Sequence, residues 1–321
     1  MVFIELSECT SLKGHEMNFG STEFEKLLGV RLGEKAKTQI DSFDIQYSIL
    51  SHEEERLVVK ELVDEIFRHD LSAANRKRVF DWNEGWGQNL LDFQKDASVR
   101  SLIPRYFGKN KVNRLNQKLV QSQDADFELK LLRCLESWVF DEYLSSFESI
   151  YEFGCGTGHN LVFLQQFAEH AELTGLDWVE SSQTLIDLIS ASRKNLKLSS
   201  GKFDYFNPDI NLKLRDGSAI FTIASLEQIG KDYEKFVDFL MSNKPKLVLH
   251  IEPFEDLLDP YCLLDNLSIQ YMRKRNYING YVEHIQNLEK VGKAKIHRYQ
   301  RSYIGSKHID GYTVLIWSPG N

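Results

Sequence analysis

The stretch Tyr151-Glu152-Phe153-Gly154-Cys155-Gly156-Thr157-Gly158-His159-Asn160 constrains this chain more than any other. An apolar run, Phe147 to Phe153, enters a loop with glycine at every second position. An apolar-periodic stretch leaves it through Leu161, Val162, Leu164, Phe167 and Ala168. That order reads as strand, tight loop, helix. Three glycines let the backbone turn sharply and approach a ligand with no Cβ in the way. The free N–H groups at the helix start then face that ligand.

The next element agrees. Leu173-Thr174-Gly175-Leu176-Asp177-Trp178 reads as a short second strand ending in an acid, 19 residues past Gly158. A carboxylate at that distance can accept hydrogen bonds from both ribose hydroxyls of a nucleoside, and Trp178 beside it can lie against the base. The plainer alternative makes Asp177 a cap of the helix that begins near Ser181. The glycine spacing separates two cofactors. A dinucleotide fingerprint needs its third glycine at position 159, which is His159; here the glycine comes one residue early. With Glu152 two residues ahead of Gly154, the pattern resembles motif I of the class I S-adenosylmethionine (SAM) dependent methyltransferases.

Composition narrows the partners. The 321 residues carry a formal net charge of −8, which argues against a broad nucleic-acid-binding face, since phosphate contacts need clustered Lys and Arg. Cys9, Cys134, Cys155 and Cys262 have no CxxC spacing, so neither a zinc site nor a disulfide framework is expected. No apolar run of about 18 residues is present. Met1 to Leu6 lacks the basic region and apolar core of a signal peptide, so a cytoplasmic location is the default expectation.

The chain divides near residue 145, where its rhythm changes. Residues 1–145 read as a mainly helical extension or lid. Phe43 to Leu50 partly alternates like a strand, and Ser51-His52-Glu53-Glu54 is a capping box ahead of an amphipathic helix through Leu57, Val58, Leu62 and Ile66. Trp82 and Trp86 are four apart, hence on one helical face. They fit either core packing or a lid that places an indole on a ligand. Ile103 to Gly108 is an aromatic turn, Lys109 to Lys118 a basic, solvated stretch, and Phe127 to Tyr143 a long helix.

Residues 146–321 alternate strand and helix, which implies a parallel sheet. Lys202 to Pro208 reads as a third strand or its loop, Ala219 to Ser225 as a fourth strand, and Lys246 to Pro253 as a fifth. Ala294 to Ile304 and Tyr312 to Trp317 have no helix between them, which suits an antiparallel pair. The methyltransferase fold ends with such a strand and the dinucleotide fold does not. The expected class is therefore α/β, a doubly wound, mostly parallel, seven-stranded Rossmann-like sheet with the N-terminal extension.

The resemblance covers roughly residues 146–321 and implies SAM as cofactor. It places Glu152, Gly154, Cys155, Gly156 and Gly158 around the methionine part, Asp177 and Trp178 at the ribose and base, Asp204 and Tyr205 at the adenine edge, and Ser225 at the methyl donor. Asp204 reads equally as a turn residue before Asn207-Pro208. At the fourth tip the residues are Ser225-Leu226-Glu227-Gln228, not the Pro-Pro motif of amino-group DNA methylases, and no Pro-Cys nucleophile occurs. Nucleobase acceptors are disfavoured, and no metal site is expected. Glu227, His250 and Glu252 remain as catalytic candidates, the last two on one face of the fifth strand by its period of two. A core histidine and a loop cap are the plain readings of His250 and Glu252. Trp86 and Tyr106 are expected to touch the acceptor. The implied activity is methyl transfer to oxygen or nitrogen of a small molecule, such as a sugar or other metabolite. A protein acceptor, a non-catalytic SAM-binding partner protein and a dinucleotide oxidoreductase are the alternatives.

Overall fold

The computed structural model describes residues 16–68 and 71–320; the N-terminal segment and Cys9 considered above lie outside the described residues. The N-terminal part runs β1 (Met17–Phe19), α1 (Ser21–Leu28), α2 (Glu34–Asp41), β2 (Ile45–Ile49), α3 (His52–Phe67), α4 (Val79–Lys95), β3 (Val112–Leu115), β4 (Lys118–Gln121) and α5 (Phe127–Val139). The capping box is formed: Ser51 Oγ accepts from the Glu54 amide, and the Glu54 carboxylate accepts from the Ser51 amide at 2.8 Å. α5 is buried on almost every side. Most of its apolar side chains lie within the hydrophobic core that joins the two parts of the chain, and its buried Arg133 and Glu136 pair with each other.

The core continues with β5 (Ser149–Phe153), α6 (His159–Leu164), β6 (Glu172–Asp177), α7 (Glu180–Ser192), β7 (Leu198–Lys202), β8 (Ala219–Ile223), α8 (Glu234–Asn243), β9 (Leu247–Glu252), α9 (Leu263–Lys274), α10 (Tyr281–Lys290), β10 (Ala294–Gln300), β11 (Ile304–Gly305) and β12 (Thr313–Pro319). Seven strands form one sheet in the order β10-β12-β9-β8-β5-β6-β7. From β9 to β7 every neighbour is parallel, and β12 is antiparallel to both β9 and β10. The fully buried run Ala219 to Ile223 is what a strand covered on both faces requires. β5 has β6 on one side and β8 on the other, so the winding reverses there and a crevice opens beyond the carboxyl ends.

Helices outweigh strands in the described part of residues 1–145, but the part also holds strands that its sequence did not mark. A second, antiparallel sheet runs β1-β2-β4-β3-β11, and its last strand comes from the C-terminal end of the chain. The stretch Lys109 to Lys118, expected to be solvated, contributes β3 and the turn to β4. Arg114 within it is 2% exposed and donates to the carbonyls of Leu264, Lys307 and His308. One hydrophobic core crosses the division near 145, joining Phe24, Trp138 and Phe140 to Ile150, Phe163 and Phe221.

Candidate functional site

The crevice beyond β5, β6 and β8 is a cavity of about 350 Å³. The glycine loop forms its floor. Gly154 and Cys155 both donate to the Leu176 carbonyl, at 2.7 and 3.2 Å, which ties the loop to β6. Gly154 has φ 68°, and a Cβ there would lie 2.5 Å from Ser225 Cβ. Gly156 has φ 54°, and a Cβ there would come within 3.0 Å of the Trp86 ring. Both positions need glycine for the left-handed backbone and for the approach of what lies above them. Gly158 starts the short α6. The Thr157 hydroxyl, on the cavity wall, is fully buried without a hydrogen-bond partner.

Asp177 stands at the tip of β6 and lines the cavity. Its oxygens accept from the Gly156 amide at 2.9 Å and the Val179 amide at 3.1 Å. Burial nevertheless pushes its carboxyl up to about 6. Trp178 and Phe206 flank one side of the cavity with ring centroids 5.9 Å apart. The Tyr205 hydroxyl lies 3.1 Å from Ser225 Oγ, which itself donates to the Phe153 carbonyl. Cys155 and Ser225 also line the cavity.

α4 is the roof. Its Asn83 accepts from the Ser181 amide and hydroxyl at the start of α7, and Trp86 lies over Gly156. Trp82 stacks on Trp86, centroids 5.2 Å apart, and the Arg78 guanidinium lies over Trp82. Tyr106 and Phe107 add a second aromatic segment to the wall. Trp82, Trp86 and Tyr106 all line this cavity. So does Glu227, whose carboxyl burial pushes up to about 8.

Five expected residues lie elsewhere, the first being Gly158, whose Cβ position faces Ile186 of α7 and not the cavity. His250 is fully buried in the sheet, with Nδ1 at 2.8 Å from Thr222 Oγ1, while Nε2 meets the Tyr281 hydroxyl and the Trp317 indole. It is a packed core histidine, held neutral because burial lowers it to about 3. Glu252 is fully buried and accepts from the amides of Ser225, Leu226 and Glu227, so it caps the turn after β8 from below. Asp204 accepts from the Phe206 amide as a turn residue, because the third strand ends earlier, at Lys202. Glu152 sits beneath the loop and accepts from Asn160 Nδ2 at 2.8 Å. Arg133 of α5 reaches His159 and Asn160 in the same buried network and pairs with Glu136. The residues missed from the sequence are Glu128, Tyr312, Arg78, Arg275 and Tyr277, all on the wall. Only their positions in the fold mark them out. Among the described residues no acidic, His or Cys cluster suits a metal ion, and no helix is long and apolar enough to cross a membrane.

No family model and no curated protein matches the sequence. Solved structures similar to it include magnesium protoporphyrin IX methyltransferase from Synechocystis PCC 6803 with bound SAH, 12% identical over 62% of this chain and 88% of that one, TM-score 0.45. The plantazolicin methyltransferase in complex with SAH is 12% identical over 81% and 99%, TM-score 0.44. Human N-acetylserotonin methyltransferase in complex with SAM is 14% identical over 61% and 58%, TM-score 0.40. The strand order and the loop decide the fold within this chain. A doubly wound dinucleotide sheet has no antiparallel strand inserted beside its last parallel one, and its third glycine would stand at His159. With β12 antiparallel between β9 and β10, and glycine at every second position after β5, the chain has the class I SAM-dependent methyltransferase fold.

Proposed function

We propose that this protein is a SAM-dependent methyltransferase that modifies a small-molecule acceptor at oxygen or nitrogen. The observation that supports it best is that the glycine loop and the aromatic, carboxylate-bearing wall belong to one cavity. A cofactor site and an acceptor site must adjoin for a direct transfer.

The residues present fit the cofactor. The left-handed Gly154 and Gly156 form a cradle that any Cβ would fill. The unpartnered Thr157 hydroxyl is a donor for its polar end, Asp177 is an acceptor for ribose hydroxyls, and Trp178 and Phe206 offer faces to the base. SAM supplies a methyl group already activated by its sulfonium, so positioning carries most of the catalysis. The chain's part is to orient the acceptor and exclude water, which Trp82 and Trp86 do from above. A roof this close to the glycine loop favours a small acceptor.

Calorimetric titration with SAM and with NAD tests the cofactor. SAM should bind and NAD should not. Asp177→Ala should weaken SAM by about 1.5–3 kcal/mol, the worth of hydrogen bonds to a charged group. Product masses after incubation with SAM and a metabolite extract test the transfer. NAD binding in place of SAM would overturn the proposal.

A further inference from the structure

Besides Asp177, two carboxylates line the cavity, and their surroundings differ. Glu227 accepts from Gln228 Nε2 at 2.6 Å and lies within the field of Arg78 and Arg275, which draws its carboxyl down against burial. Glu128 has no such neighbour. It comes from α5, outside the sheet, and its partner is the neutral Tyr312 hydroxyl, which donates to Oε1 at 3.2 Å. The cations nearest to it in sequence are engaged elsewhere: Lys130 pairs with Asp124 and Arg133 with Glu136. A carboxylate desolvated at an aromatic-walled cavity without a cation is costly unless it stays protonated or a ligand brings the missing charge. Tyr106 and Tyr312 lie within the field of both Glu128 and Glu227. Trp82, Trp86 and Phe107 complete the wall. Aromatic faces around an unpaired carboxylate make a receptor for an ammonium group.

We infer, on the basis of the methyltransferase reading, that the acceptor is an amine and that Glu128 receives its nitrogen. A hydroxyl acceptor would leave Glu128 without a countercharge; an ammonium supplies one. The ammonium must then lose a proton before its lone pair can attack. Glu128 takes that proton, and Tyr312 holds the carboxyl in place. The nitrogen's lone pair forms the new C–N bond as the C–S bond breaks, and sulfur keeps the pair. The N-methylammonium product then carries the charge the sulfonium has lost. Burial suits Glu128 to this step: it pushes the carboxyl up to about 7, closer to an amine than an ordinary carboxylate and so a better base towards it.

The test is a binding experiment. The protein is first saturated with SAH, a titration that tests the cofactor reading by itself. The complex is then titrated with benzylamine and with benzyl alcohol, which share a shape and differ in the group of interest. Benzylamine should bind roughly tenfold tighter or more, as a charge-assisted contact predicts. Glu128→Gln, which keeps the volume and removes the charge, should erase that preference while SAH affinity stays the same. The preference of the unaltered protein stands as a test even if the variant folds poorly. Benzylamine binding no tighter than the alcohol, or a preference that survives Glu128→Gln, overturns the inference. Failure of SAH to bind instead overturns the cofactor reading.

Discussion

Replacing Glu252 by alanine removes a buried carboxylate on which the turn after β8 is hung. Its Oε1 accepts from the Ser225 and Leu226 amides, both at 3.0 Å, and its Oε2 from the Glu227 amide at 3.1 Å. Leu226 and Glu227 are buried, so water does not readily replace these bonds. A buried donor left without a partner costs about 1–3 kcal/mol. Three of them give about 3–6 kcal/mol once partial relaxation is allowed. At roughly 2 °C per kcal/mol for a chain of this size, Glu252→Ala should lower Tm by about 6–12 °C. Glu252→Gln should cost less. Its amide oxygen can keep the two-donor position, while its NH₂ group faces the Glu227 amide, donor against donor. The loss is then one charge-assisted bond, about 1.5–3 kcal/mol. Thermal unfolding of both variants, with SAM calorimetry on the folded fraction, checks the ordering. If Glu252→Ala melted within about 2 °C of the unaltered protein and lost only methyl transfer, Glu252 would return to the chemistry and the capping argument would fail.

Trp86→Ala should reduce turnover of the true acceptor far more than it reduces Tm, because the ring is half-buried on the cavity wall; a loss of about 3–5 kcal/mol, as for a core cavity, would show it to be packing instead. Gly154→Ala should cost about 1–2 kcal/mol in backbone strain and weaken SAM binding, since the new Cβ meets Ser225 at 2.5 Å; unchanged affinity would remove the loop from the cofactor site. Stability should fall as pH rises from about 4.5 to about 8. Glu227 is raised to about 8, and Glu128, Glu136 and Glu252 to about 7, from 4.5, so across that window the folded state holds protons the unfolded chain has released. Glu227→Gln should flatten the upper end of the Tm profile, and a Tm that rises with pH refutes the assignment.

What the sequence showed was local chemistry with a fixed spacing. The alternate glycines, the acid at the second tip and the two tryptophans one helical turn apart each constrain their own neighbourhood, and all but Gly158 reach the cavity. The misses were questions of depth and of distant pairing. A period of two puts His250 and Glu252 on a face but not at a height: Tyr281 of α10 covers the histidine, and that helix is 31 residues away. The third strand was placed late because Leu198-Ser-Ser-Gly-Lys has a glycine and too few apolar residues to stand out. The hairpin of β3 and β4 was missed because its turn residues, Asn116 and Gln117, have φ 51° and 60° without a glycine.

The small sheet explains how the wall proposed for the acceptor is held. Tyr312, Ser306 and Ile309 line the cavity from the loop between β11 and β12, a loop that the main sheet alone would leave projecting. β11 pairs with β3, so the N-terminal part supplies the edge that receives it. Arg114 then binds the loop from within, donating to the Lys307 and His308 carbonyls, and Lys307 reaches Glu61 and Glu65 of α3. At the far end Arg301 pairs with Asp265 and Asp310 in the interior. Fixed at several points, the loop presents Tyr312 to Glu128, itself on the helix that joins the two parts. The floor of the cavity is built from β5, β6 and β8, whereas the wall proposed for the acceptor joins Glu128 to Tyr312, segments nearly two hundred residues apart. Changes in β3 or α3 should therefore alter acceptor binding through the loop while leaving the glycine loop and its cofactor affinity in place.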